Sequence, residues 1–129
     1  MVADWIECNA RNIILSTERI IVSMRDQAFS PQQIYSALQA LPGWQLLSPD
    51  ATRHAYAISK SFTFADYGQT IAFVNRVAAI AQREDHHPDL FVQHSRCEVL
   101  LSTHDCQGVC ERDMKSAVLI DAVFSRTEQ

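Results

Sequence analysis

Pro88 constrains this chain more than any other residue, because it stands directly after a long helical pattern and forbids its continuation. Tyr67, Ile71, Val74, Ala78 and Ala81 recur at helical spacing and give the segment up to about Glu84 an apolar stripe. Thr63-Phe64-Ala65-Asp66 reads as the capping box that opens this helix. The proline ring disfavours helical angles at the preceding residue, so the chain must leave the helix near His86-His87.

The segments on either side read as a sheet with further helices. Ser30-Pro31-Gln32-Gln33 supplies a capping hydroxyl, a proline for the first helical position and a glutamine at the third. Ile34, Leu38 and Leu41 line one face of the short helix that follows, and Pro42-Gly43 ends it. Trp44–Leu47 and Arg53–Phe62 read as strands joined by a Ser48-Pro49-Asp50 turn, with His54, Tyr56 and Ile58 alternating onto one face of the second. A third strand is expected through Val92–Thr103, with Cys97, Val99 and Leu101 on one side and Glu98, Leu100 and Ser102 on the other. After a turn at Gly108, a last helix spans roughly Glu111–Phe124 and is apolar around nearly its whole circumference, which predicts burial on more than one side and a second subunit as the cover. The fold class is α+β: two layers, a mostly antiparallel sheet with helices packed on one face.

At 129 residues the chain suits one domain. A division into an N-terminal extension over 1–29, part helical, and a domain over 30–129 follows from where the punctuation begins. Ile6, Ile13 and Ile20 recur every seven residues in the extension, and nothing there announces a function.

Hydrophobic residues at 47% against 20% charged describe a globular chain able to bury a core without staples. Cys8, Cys97, Cys106 and Cys110 are therefore expected as reduced thiols in an intracellular protein. A net charge of −4 with only eleven scattered basic residues excludes a nucleic-acid footprint, and no apolar run is long enough to span a membrane. The expected compartment is the cytoplasm, with the nucleus left open.

Four of the five histidines (His86, His87, His94 and His104) fall between positions 86 and 104. Adjacent histidines at a helix end reach one cleft only where the backbone turns, and Pro88 supplies that turn. His104 lies just past a strand end, where a loop presents it to the same cleft. Imidazoles suit proton transfer because both protonation states are available near neutral pH. Asp113, in the first turn of the last helix, is placed to orient a histidine or to hold the helix N-terminus. The rival reading is zinc on the histidines and Cys106, but no H-E-x-x-H or paired C-x-x-C spacing is present, and no metal is expected.

At these residues the chain resembles the pterin-4a-carbinolamine dehydratase family, whose animal members are also dimerisation cofactors of hepatocyte nuclear factor. The resemblance rests on Asp85-His86-His87-Pro88-Asp89, Ser102-Thr103-His104-Asp105 and Glu111-Arg112-Asp113. Gly43-Trp44, Lys60, Phe62, Phe64, Asp66, Phe73, Arg76 and Val77 extend it upstream, so that it covers roughly Ser30 to Phe124. It implies dehydration of a 4a-hydroxytetrahydropterin to the quinonoid dihydropterin, in recycling of a tetrahydropterin after aromatic amino acid hydroxylation. No metal or redox cofactor is implied, the pterin being the substrate.

By the same resemblance His86 and His104 are the acid/base groups, His87 positions or polarises the hydroxyl, and Asp113 supports the cluster. Trp44 walls the pterin pocket, while Asp85 and Ser102, Thr103, His104 and Asp105 hydrogen-bond the ring. The chain departs from the family pattern at Gln82, where an acidic residue is usual, at His94, where an aromatic is usual, and at Leu90, where tryptophan is usual. Assembly as dimers or tetramers is implied, in agreement with the last helix. A transcription-factor partner follows only for a chain of animal origin. The competing reading is an interaction protein of the same fold with weak lyase activity, motivated by Gln82, His94 and residues 1–29.

Overall fold

The structure, a computed structural model, describes residues 27–127. Its elements in chain order are α1 (Pro31–Leu38), β1 (Gln45–Leu47), β2 (Ala57–Thr63), α2 (Tyr67–Glu84), β3 (Asp89–Gln93), β4 (Arg96–Leu101) and α3 (Glu111–Thr127). The strands form one antiparallel sheet in the order β1-β2-β4-β3, which bears out the α+β reading. The extension drawn over 1–29 lies outside the described residues except for its last three, where the Phe29 amide donates to the Val109 carbonyl at 2.7 Å.

Alternation along the strands explains which face is covered. Ile58, Phe62, Cys97, Val99 and Leu101 are buried and point to one side, where Ile34 of α1, Phe73, Val77 and Ile80 of α2, and Met114, Ala117 and Ile120 of α3 complete a single core. Phe62 joins three elements there. Its ring lies 4.8 Å from Phe73 and 5.0 Å from Phe124 between centroids, and each such pair adds about 0.5–1.5 kcal/mol beyond area burial. The other face carries Gln45, Ser61, Glu98 and Arg96, and also Phe91, which is 59% exposed. Among the described residues no helix is long and apolar enough to cross a membrane.

Local signals account for most boundaries. Ser30 and Gln33 close a reciprocal capping box, with Gln33 N donating to Ser30 Oγ at 3.2 Å and Ser30 N to Gln33 Oε1 at 2.7 Å. Three expectations shift. The single strand drawn over Val92–Thr103 is two, β3 and β4, folded back at His94-Ser95 with Gln93 opposite Arg96. The long helix is capped by Asp66, whose Oδ1 accepts from Gln69 N at 2.8 Å, because Thr63 is held in β2 opposite Arg96. The strand drawn from Arg53 begins only at Ala57, since Asp50 Oδ1 ties up the amides of Thr52 and Arg53 in a turn.

Candidate active site

The site is built where α2 ends and α3 begins. Asp85 terminates α2 in the left-handed region, with φ 50° and ψ 43°, a conformation that favours glycine and that aspartate tolerates better than most side chains. The His86 amide then returns to the Ala81 carbonyl at 3.0 Å. This one turn makes the two adjacent histidines unequal. His86 is swung inward and is 9% exposed, whereas His87 faces outward and Pro88 leads the chain into β3.

The second half comes from the segment after β4. Thr103 and Gly108 pair with each other across a tight turn, Thr103 N to Gly108 O at 2.7 Å and Gly108 N to Thr103 O at 3.2 Å. Gln107, at φ 58°, completes the reversal. The His104–Gln107 turn therefore projects outward, and its ends are fixed. Cys110 then precedes α3, and Asp113 occupies the third helical position.

The two halves meet at Asp113, which is fully buried. Its Oδ1 lies 2.7 Å from His86 Nε2. Its Oδ2 accepts from Thr103 Oγ1 at 2.8 Å and from the Cys110 amide at 2.9 Å. The latter bond is the return half of a capping box, with cysteine in the place usually held by serine or threonine. The Cys110 thiol turns instead to Thr103 Oγ1, at 3.2 Å. A carboxylate removed from water is tolerated only when its lone pairs are occupied, and here three donors and the helix N-terminus share that work.

An ionised Asp113 has no proton to give, so the His86 contact requires Nε2 to be the donor. The neutral imidazole then carries its lone pair on Nδ1. A histidine held in one tautomer by a buried carboxylate, with the lone pair on its other nitrogen, has the arrangement of a general base.

The remaining site residues are placed as follows. His87, His104, Asp85 and Asp105 have exposed side chains on the two segments that carry His86 and Thr103. Ser102 is half-buried, its hydroxyl donating to Tyr56 O at 3.1 Å. Trp44 is not in the hydrogen-bonded cluster. Its indole N–H donates to Asp121 Oδ2 at 3.1 Å, and Lys60 Nζ contacts the other oxygen of the same carboxylate at 2.9 Å. His94 stacks on Tyr67, with centroids 6.1 Å apart. The residues that sequence reasoning missed are Cys110 and Asp121, of which only the first carried a signal, the C-x-x-D spacing of a helix start.

Cys97, Cys106 and Cys110 are free thiols. Burial, and then the neighbouring Cys110, pushes Cys106 up to about 12. Among the described residues no three His, Cys, Asp or Glu side chains gather into a metal-holding group.

Residues 27–123 match the model of the pterin 4 alpha carbinolamine dehydratase family. The chain belongs to that family. A Paracidovorax citrulli protein named as a pterin-4-alpha-carbinolamine dehydratase is 45% identical over 102 residues, which cover 79% of this chain and 85% of the relative. One of the same name from Bdellovibrio bacteriovorus is 43% identical, covering 76% and 79%. The crystal structure of a transcriptional coactivator/pterin dehydratase from Brucella melitensis superposes with a TM-score of 0.66 at 35% identity, over 75% of this chain and 98% of that one. A pterin dehydratase-like protein identified as a RuBisCO assembly factor in the alpha-carboxysome shares the fold, with a TM-score of 0.54 at 21% identity over 65% of this chain and 92% of its own. The dehydratase family thus coincides with the stretch that contains every residue of the buried cluster.

Proposed function

We propose that this chain is a hydro-lyase that converts a 4a-hydroxytetrahydropterin to the quinonoid dihydropterin and water, in recycling of a tetrahydropterin after aromatic amino acid hydroxylation. The observation that carries the reading is the buried pair of His86 Nε2 and Asp113 Oδ1 at 2.7 Å, in a chain of the dehydratase family. The reaction breaks the C4a–O bond and removes the N5 proton. Electrons stay within the substrate, so one base and one acid balance it without a metal or a redox cofactor.

His86 is assigned the base role, taking the N5 proton on Nδ1 while Asp113 stabilises the imidazolium that forms. His104 is assigned the acid role, delivering a proton to the departing hydroxyl from the exposed turn after Thr103. His87, outside the buried cluster, positions that hydroxyl. Asp85, Ser102 and Asp105 supply hydrogen bonds to the ring from the two segments, Thr103 being turned toward Asp113 instead, and Trp44 is assigned to the pocket wall. The arrangement works in the cytoplasm. A second copy of the chain is the partner proposed for β3, the edge strand of the sheet among the described residues, supported by Phe91 and Val92, which are 59% and 39% exposed there, and sedimentation as a monomer at micromolar concentration would refute it.

The test is breakdown of 4a-hydroxytetrahydropterin with and without chelator. Acceleration insensitive to chelator and lost in His86→Ala and His104→Ala supports the reading, each group contributing on the order of 10²–10⁴ in rate. A rate no faster than buffer overturns it, and loss of activity to chelator would point to a metal enzyme.

A further inference from the structure

We infer that Thr103, with Cys110 behind it, is a positioning residue that fixes the tautomer of His86 through Asp113. Its consequence for catalysis rests on the dehydratase reading; its effect on the imidazole does not.

The direction of the hydrogen bonds makes the case. The Cys110 thiol donates to Thr103 Oγ1 at 3.2 Å, and the Thr103 hydroxyl, having one proton, donates it to Asp113 Oδ2 at 2.8 Å. The Cys110 amide donates to the same Oδ2 at 2.9 Å. Two donors thus occupy Oδ2, and no proton can reside on that oxygen without expelling one of them. With Oδ2 taken up by those donors, Oδ1 meets His86 Nε2 at 2.7 Å as an acceptor, which requires the ring proton on Nε2. The carboxylate plane is fixed by the same two bonds, so Oδ1 cannot rotate away from the imidazole.

Thr103 is itself rigidly placed. It is 3% exposed, and its backbone makes both bonds of the bridge to Gly108. Its hydroxyl faces the buried carboxylate and thiol, and so is committed inward. The resemblance assigned Thr103 to the pterin; the geometry gives the side chain a different task and leaves ring contacts to its neighbours His104 and Asp105, which are exposed.

The experiment compares the wild type with Thr103→Val, which keeps the shape and removes the proton donor, and Thr103→Ser, which restores the donor. Imidazole nitrogen shifts measured by NMR near pH 8 report the tautomer without any substrate. The wild type should show His86 as the Nε2–H form, Thr103→Val a mixture of both forms, and Thr103→Ser a return to the wild-type pattern. With 4a-hydroxytetrahydropterin, kcat should fall about tenfold in Thr103→Val with KM changed less than about twofold, the loss expected for one hydrogen bond felt through another group. Thr103→Ala serves as the second donor-deleted variant if valine unfolds the chain. A folded donor-deleted variant whose His86 keeps the single wild-type tautomer overturns the inference, as does a rise in KM at constant kcat. If no variant or wild type has dehydratase activity, the functional reading fails while the tautomer result still decides the role of Thr103.

Discussion

Asp113 can be emptied of charge without being emptied of volume, and the outcome follows from the hydrogen bonds around it. In Asp113→Asn the amide oxygen must face Thr103 Oγ1 and the Cys110 amide, both donors, so the NH₂ group faces His86 Nε2. That nitrogen must then accept, the ring proton moves to Nδ1, and the lone pair proposed to take the N5 proton is lost. The expected result is a fall in kcat on the order of 10²-fold or more with KM little changed, measured by steady-state kinetics. Equal activity in the variant would remove His86 from the base role. At this scale the sequence named His86, His87, His104 and Asp113, and the resemblance gave the adjacent pair different roles, but the inequality in burial between His86 and His87 was not legible. That inequality arises at Asp85, whose left-handed turn carries no glycine to announce it.

Among the elements, the ones with punctuation were legible and the one without it was not. Ser30-Pro31 and Pro88 marked a helix start and a helix stop that the structure reproduces closely. The β3–β4 turn has neither glycine nor asparagine and neither of its residues has a positive φ, so two strands read as one continuous run. The loop before β1 shows how a single position can matter across elements. Gly43 sits at φ 88°, and a Cβ there would lie 2.9 Å from Lys60 Cε. Lys60 joins β2 to α3 through Asp121, which also holds Trp44, and its Nζ contacts the Pro42 carbonyl at 3.0 Å. Gly43→Ala therefore strains the backbone and presses on Lys60 together. A loss of about 1–3 kcal/mol is expected, seen as a lower Tm in calorimetry, with Asp121→Asn less affected by the added methyl than the wild type because the linkage is already weakened. An unchanged Tm would mean that the loop yields at no cost.

Over the whole molecule, the last helix is less exposed than its composition suggests. Met114, Ala117 and Ile120 enter the core, Leu119, Val123 and Phe124 pack at its margin, and Val118 is 55% exposed, so most of the apolar circumference is covered within one chain. The same economy of burial encloses the thiols and gives the fold an alkaline limit. Burial raises Cys97 from an ordinary value of 9.0 to about 11, and burial with the adjacent Cys110 raises Cys106 to about 12. The folded chain holds these protons more tightly than the unfolded one, which releases them from about pH 9 upward. Their contribution to stability is thus complete below pH 9 and is lost progressively as pH rises toward 11 and 12. Other groups titrate in this range, so the decisive comparison is with Cys106→Ser, which removes one raised thiol and retains a donor for the Thr103 and Gly108 carbonyls. Tm measured from pH 7 to 11 should stay level to about pH 9 in both proteins and then fall less steeply in the variant. Parallel slopes would show that the Cys106 proton is held no more tightly in the folded chain than in the unfolded one.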